Sequence, residues 1–342
     1  MNEVHQKIID AVIRKAKQVC PESLLLIGVY GSAATGDMHP KSDLDLLILI
    51  RDEQGRQLAE GFILADAQIG YDIYCTTWDM LEEDAKCNHA HLSKLLDSKI
   101  LYVNDPSAVR PLEELRNKAR GILASDQRKE NAQAAFDAAK ARYADCFLTD
   151  SLSGIRTSAG AAIHCLLDAL MLHHGRYFHM GVKRTFEEVS TLKLPFDLEE
   201  LVTAVIRGES GEEIRSALTK LMRCVNGYLH TPISKDQPAP SNLRGTYEEM
   251  FSNWRNKMEE AADREDLFSS YMNMVSLQFM LQEIAAGVNI QELDVMGAFD
   301  SGNLEKNTEA FDSVLQQYRE EYRKAGTEPE IIPNIEAFLA QY

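Results

Sequence analysis

Residues 29 to 50, VYGSAATGDMHPKSDLDLLILI, gather in one short stretch the residue types that handle phosphate and metal. Asp43 and Asp45 stand two apart and run straight into Leu46, Leu47, Ile48, Leu49 and Ile50, an apolar run that predicts a buried central strand. Side chains two apart on an extended chain point to the same face. Two carboxylates held on one face repel each other unless a divalent cation sits between them, and Mg²⁺ is the hard-cation match for carboxylates plus phosphate oxygens. Ahead of the pair, Gly31, Ser32, the small residues Ala33, Ala34 and Thr35, and Gly36 let backbone N–H groups and the Ser32 hydroxyl approach a phosphate without obstruction. Asp72, on the polar parity of the next predicted strand, is a third carboxylate for the same cluster, either as a metal ligand or as the base that takes a proton from an attacking hydroxyl.

Two familiar phosphate-binding patterns do not fit. Gly31 and Gly36 have the glycine spacing of a Walker loop, but Asp37 and Met38 follow where that loop needs Lys and then Ser or Thr. Glycines at 28, 31 and 36 also miss the G-x-G-x-x-G dinucleotide fingerprint. What remains, Gly31-Ser32 to Gly36 to Ser42-Asp43-Leu44-Asp45 with a hydrophobic strand behind it, resembles the signature of the DNA polymerase β-like nucleotidyltransferases over about residues 24 to 75, specifically the minimal and aminoglycoside types. The resemblance implies a mixed sheet with flanking helices and transfer of a nucleoside monophosphate from a nucleoside triphosphate. It also implies two Mg²⁺ ions held by Asp43, Asp45 and a third carboxylate, with Gly31, Ser32, Gly36 and Ser42 at the nucleotide.

The elements that must position these residues follow from periodicity. Residues 1 to 107 read as an α/β unit. MNEVHQKIIDAVIRKAKQV is an amphipathic helix with Ile8, Ile9, Val12, Ile13 and Ala16 on one side; SLLLIGVYG, DLDLLILI, a segment in which Ile69, Tyr71, Ile73 and Cys75 alternate with polar positions, and SKILYVNDP are strands. Residues 108 to 342 carry helical periodicity throughout, interrupted by a Pro-, Ser- and Asn-rich loop near 230–245. The fold class is therefore α+β: an N-terminal nucleotidyltransferase-type sheet domain, 1–107, followed by an all-α domain, 108–342, that binds the acceptor. The helical half is similar, more loosely, to the domains that follow this module in aminoglycoside-type enzymes.

Composition narrows the partners. The formal charge of −17, from 36 Lys and Arg against 53 Asp and Glu, opposes attraction to nucleic acid or an anionic membrane, yet permits small nucleotides in a locally basic or metal-bearing pocket. Six scattered cysteines without paired spacing predict reduced, packed thiols in a cytoplasmic protein. Lys183 and Arg184 either reach the triphosphate or form a solvated helix-end pair. His164, His173, His174 and His179 have no acidic or cysteine partner at zincin spacing and are expected at the edge of the core or in a pocket, not on a metal. Tyr247 and Trp254 are expected to pack.

The function expected is Mg²⁺-dependent, ATP-binding transfer of AMP to a hydroxyl of a small molecule, with an aminoglycoside-like antibiotic as one acceptor class and Glu187, Glu188 or Asp168 free to hold its amines. The alternatives are AMP transfer onto a protein, as in antitoxin-type members, and a degenerate nucleotide-binding or interaction protein.

Overall fold

The computed structural model describes residues 3–39, 42–230 and 235–341. It divides into two compact units, 1–230 and 231–342. Among the described residues the first holds six strands, β1 Leu24–Val29, β2 Leu46–Ile50, β3 Glu60–Leu64, β4 Ile69–Ile73, β5 Cys75–Thr76 and β6 Lys99–Val103. Its helices are α1 Glu3–Val19, α2 Gly31–Thr35, α3 Trp78–Asp84, α4 Ser93–Leu96, α5 Val109–Ala124, α6 Gln127–Leu148, α7 Leu152–His173, α8 Thr185–Ser190, α9 Leu198–Arg207 and α10 Gly211–Leu229. The second unit is helical, with α11 Pro240–Leu243, α12 Thr246–Met250, α13 Asn256–Asp263, α14 Leu267–Gly287, α15 Leu304–Lys324 and α16 Ile335–Gln341.

The main sheet has the order β5-β2-β1-β6. It is mixed, since β1 pairs antiparallel with β2 and β6 whereas β2 and β5 are parallel. Both central strands are buried at every position, which explains their unbroken apolar runs. One face, including Ile27, Val29, Leu46 and Ile48, packs with Ile9, Val12 and Ala16 of α1, the 3.6-residue stripe that the sequence shows. On the other, Leu25, Leu26, Leu47 and Leu49 share a core with helices from α3 to α10. The expected division at 107/108 falls inside this unit because sheet and helices bury one continuous apolar core. The class is α+β, as expected.

The third expected strand is corrected. Its first part folds back as a hairpin, β3 with β4, in a separate two-stranded sheet, and only β5 joins the main sheet. Gln68, with φ of +52°, lies in the turn that reverses the chain and brings Phe62 opposite Tyr71. The alternation read from the sequence does hold, with Tyr71 and Ile73 buried and Asp72 exposed.

Helix α7 has the length and apolar character of a membrane span, but its Ile155, Ala159, Ala162, Leu166, Ala169 and Leu170 are packed in the core of the first unit. All six cysteines are free thiols, four of them buried. In the second unit Tyr247 is buried in a core with Tyr318 and Tyr322, and Trp254 packs against that core. Of the loop expected near 230–245, residues 231–234 lie outside the described residues; Asp236 forms a bridge with Val288, and α11 follows.

Candidate active site

The chain leaves β1 at Val29, turns at Gly31 into α2 and returns to enter β2 at Leu46. Asp43 and Asp45 precede that strand instead of lying within it, yet the backbone is already extended there: Tyr30 N–H donates to the Asp45 carbonyl at 3.1 Å, one pair beyond Val29 and Leu46. Leu44 is buried between an exposed Asp43 and a half-buried Asp45. The two carboxylates therefore have the same parity.

Asp45 is the electrostatically stressed member. Burial, and then the charge of Asp43, push its carboxyl up to about 6. Its side chain lies directly over Gly31, where φ is +62° and an added Cβ would stand 2.1 Å from Asp45 Oδ2. Two requirements thus converge on glycine at position 31, a left-handed backbone and the absence of a side chain. Gly36 ends α2 with φ of +82° and donates its N–H to Ser32 O at 3.0 Å. Ser32 is half-buried at the start of that short helix. Ser42 is tied to His39 by two hydrogen bonds: its hydroxyl accepts from His39 N–H at 2.9 Å, and its own N–H donates to His39 O at 2.8 Å.

Asp72 is exposed on β4. Tyr74, two residues on and of the same parity, meets Tyr30 with the hydroxyls 2.6 Å apart. Burial, that hydrogen bond and the nearby Asp45 all raise the Tyr30 phenol. On β4 it is Tyr71, of the opposite parity to Asp72, whose phenol is raised by burial and then by the charge of Asp43.

Cations come from two distant parts of the first unit. Lys183 Nζ donates to Asp37 O at 2.6 Å and pairs with its carboxylate at 3.0 Å, while Arg184 contacts the same carboxylate at 2.9 Å. The Arg184 and then the Lys183 hydrogen bonds hold Asp37 well down, at about 2. Lys99, opposite Val29 in the β1–β6 register, donates to Ala34 O at 2.6 Å. Tyr30, Tyr74, Asp37 and Lys99 were not singled out from the sequence, where nothing marks them except the nearness of Tyr30 and Asp37 to the glycine turn. The acidic residues expected to be free are engaged: Glu187 pairs with Arg184, Glu188 accepts from His179 and Met180 N–H, and Asp168 accepts from Ala90 N–H. His174 Nε2 is 2.8 Å from Tyr228 Oη, and His179 Nδ1 is 2.9 Å from Asp97 Oδ2.

Residues 6–102, which contain the turn and all three aspartates, match the family model for the nucleotidyltransferase domain. They are a nucleotidyltransferase domain. Over 96 residues, 27% of this chain, the sequence is 32% identical to a bifunctional uridylyltransferase/uridylyl-removing enzyme of Pseudomonas putida (strain W619), of which the match spans only 10%. A nucleotidyltransferase-like protein from Exiguobacterium sibiricum 255-15, of known crystal structure, aligns at 16% identity over 66% of this chain and 78% of its own, with a TM-score of 0.38. The nucleotidyltransferase domain thus accounts for the sheet, α1 and the site turn, while α5 to α16 lie beyond the family match.

Proposed function

We propose that this chain transfers a nucleoside monophosphate from a nucleoside triphosphate to a hydroxyl of a small-molecule acceptor. The observation that carries the reading is the Asp45 carboxyl, pressed against Gly31 and raised to about 6 by burial and by Asp43. A pair of carboxylates so placed holds uncompensated negative charge, which suits a hard divalent ion that arrives with its nucleotide. Asp43 and Asp45 are the residues that would hold Mg²⁺, two ions on the family resemblance, with Asp72 preferred as the base over a role as third ligand. When bound, the metal supplies charge neutralisation at the transferred phosphate and at the pyrophosphate.

The chain's own groups do the rest. Backbone N–H groups around Gly31 and Gly36 and the Ser32 hydroxyl donate to phosphate oxygens. Ser42, tied to His39 by two hydrogen bonds, adds a further hydroxyl to this stretch. Lys99, Lys183 and Arg184 offer positive charge to the triphosphate, the last two by exchanging Asp37 for phosphate. The acceptor oxygen bonds to the α-phosphorus as the bond to pyrophosphate breaks, and the hydroxyl proton passes to Asp72.

AMP is the group expected from the resemblance; the uridylyltransferase relative makes UMP its direct competitor. The charge of −17 favours a cationic, hydroxyl-rich acceptor such as an aminoglycoside, which would make antibiotic resistance the physiological setting. The test is incubation with each α-labelled nucleoside triphosphate, Mg²⁺ and a panel of aminoglycosides and lincosamides. Label in a small molecule supports the reading. Label on a co-purifying polypeptide replaces it with protein modification, and nucleotide binding without transfer to any acceptor replaces it with a degenerate, nucleotide-sensing role.

A further inference from the structure

We propose that His91, His164 and Asp168 bind a borderline divalent transition ion such as Zn²⁺, at a site made of residues other than the Asp43–Asp45 pair. One ring nitrogen from each histidine and one carboxylate oxygen lie within 4.8 Å of one another. His164 and Asp168 are one turn apart on α7 and share a face of that helix. His91 comes from the connection between α3 and α4, more than seventy residues earlier. Helical spacing alone therefore conceals the cluster.

Bonds of about 2.0–2.1 Å to zinc set tetrahedral donors roughly 3.4 Å apart. The three donors must close on the ion by about an ångström, which side-chain rotation supplies. Both imidazoles are exposed, leaving room for that rotation and for the ion to arrive from solvent. The remaining coordination positions are filled by water or an outside ligand.

Neighbouring groups already orient the ligands. Asp168 Oδ1 accepts from Ala90 N–H at 2.9 Å and lies 3.6 Å from His91 Nε2. The His91 ring stacks on Phe178 at 5.1 Å between centroids, and Phe178 N–H donates to Ala90 O at 2.8 Å. Such outer contacts fix ring and carboxylate orientation at metal sites. Two imidazoles with one carboxylate suit Zn²⁺, Ni²⁺ or Cu²⁺, whereas Mg²⁺ prefers an all-oxygen shell. The chain would accordingly sort metals by donor type, hard ions to the aspartate pair and borderline ions to this cluster, where the ion clasps the α3–α4 connection to α7.

The test is titration of the full-length, chelator-treated protein with Co²⁺, followed by visible absorption, in the presence of excess Mg²⁺. We expect one equivalent bound in a form that Zn²⁺ displaces and Mg²⁺ does not. His91→Ala and His164→Ala should each weaken it by more than the ~10–100-fold typical of outer-shell changes, while Asp45→Asn retains it. Failure of the wild type to bind stoichiometrically, or retention of binding by the double histidine variant, overturns the proposal. A second measurement needs no variant: Zn²⁺ should shield His91 and His164 from carbethoxylation, mapped by mass spectrometry, above the remaining histidines. Equal labelling with and without Zn²⁺ also overturns it.

Discussion

The Asp45 carboxylate occupies the space that any side chain at Gly31 would need, with Oδ2 2.1 Å from the position of an added Cβ. Position 31 and position 45 are therefore one unit: the glycine exists so that the carboxylate can lie beneath the turn. Gly31→Ala must either shift Asp45 or unwind the turn, and its left-handed backbone adds a cost of about 1–3 kcal/mol. We expect nucleotide turnover to fall at least tenfold and the KM for nucleotide to rise more than that for acceptor, measured by steady-state kinetics. Equal effects on both substrates would assign the turn to folding alone.

Asp45 also sets a pH dependence. Its folded value, about 6, lies above the ordinary 3.8, so the folded state holds the proton more tightly. The stability this contributes is complete below about pH 4 and is lost as pH rises through about 6. At about 1.4 kcal/mol for each pH unit between the two values, less the screening due to partial exposure, the loss is on the order of 2 kcal/mol. Asp45→Asn should remove it, so the metal-free variant should match the wild type near pH 4 and exceed it in Tm at pH 7.5. Calorimetric melts across that range, with and without Mg²⁺, check both the sign and its reversal by metal.

Asp43→Asn and Asp45→Asn should each abolish Mg²⁺-dependent transfer while circular dichroism stays native. Asp72→Asn distinguishes a base from a ligand. As a base it should lower kcat by about 10²–10⁴-fold with the Mg²⁺ dependence unchanged; as a ligand it should shift the Mg²⁺ dependence to higher concentration.

Asp37 holds the two cations that the proposed function gives to the triphosphate. Asp37→Asn frees them and should tighten binding of a non-hydrolysable nucleotide several-fold at low salt, with the gain fading as the screening length falls to about 8 Å at 0.15 M. Lys183→Ala or Arg184→Ala should weaken it. If Asp37→Asn lowers Tm and leaves nucleotide affinity unchanged, the Asp37 cluster serves only as a structural clamp.

The sequence by itself determined whatever depends on neighbours a few positions apart. The apolar stripe of α1, the doubly buried runs of β1 and β2, the alternation around Tyr71 and Asp72, and the shared parity of Asp43 and Asp45 are local patterns, because backbone geometry repeats every 3.6 or 2 residues. The spacing from Gly31 to Asp45 belongs with them, since turn and strand are contiguous. Tertiary structure alone decided the rest. Periodicity marks an extended segment but not its partner, so it could not tell that β3 and β4 pair with each other while β5 joins the main sheet. Lys99 meets Ala34 across 65 residues and Arg184 meets Asp37 across 147, and His91 reaches the Asp168 side of α7 from a loop. Those meetings depend on the path of the chain around a shared apolar core, and burial is a property of the whole path that no short window of sequence contains.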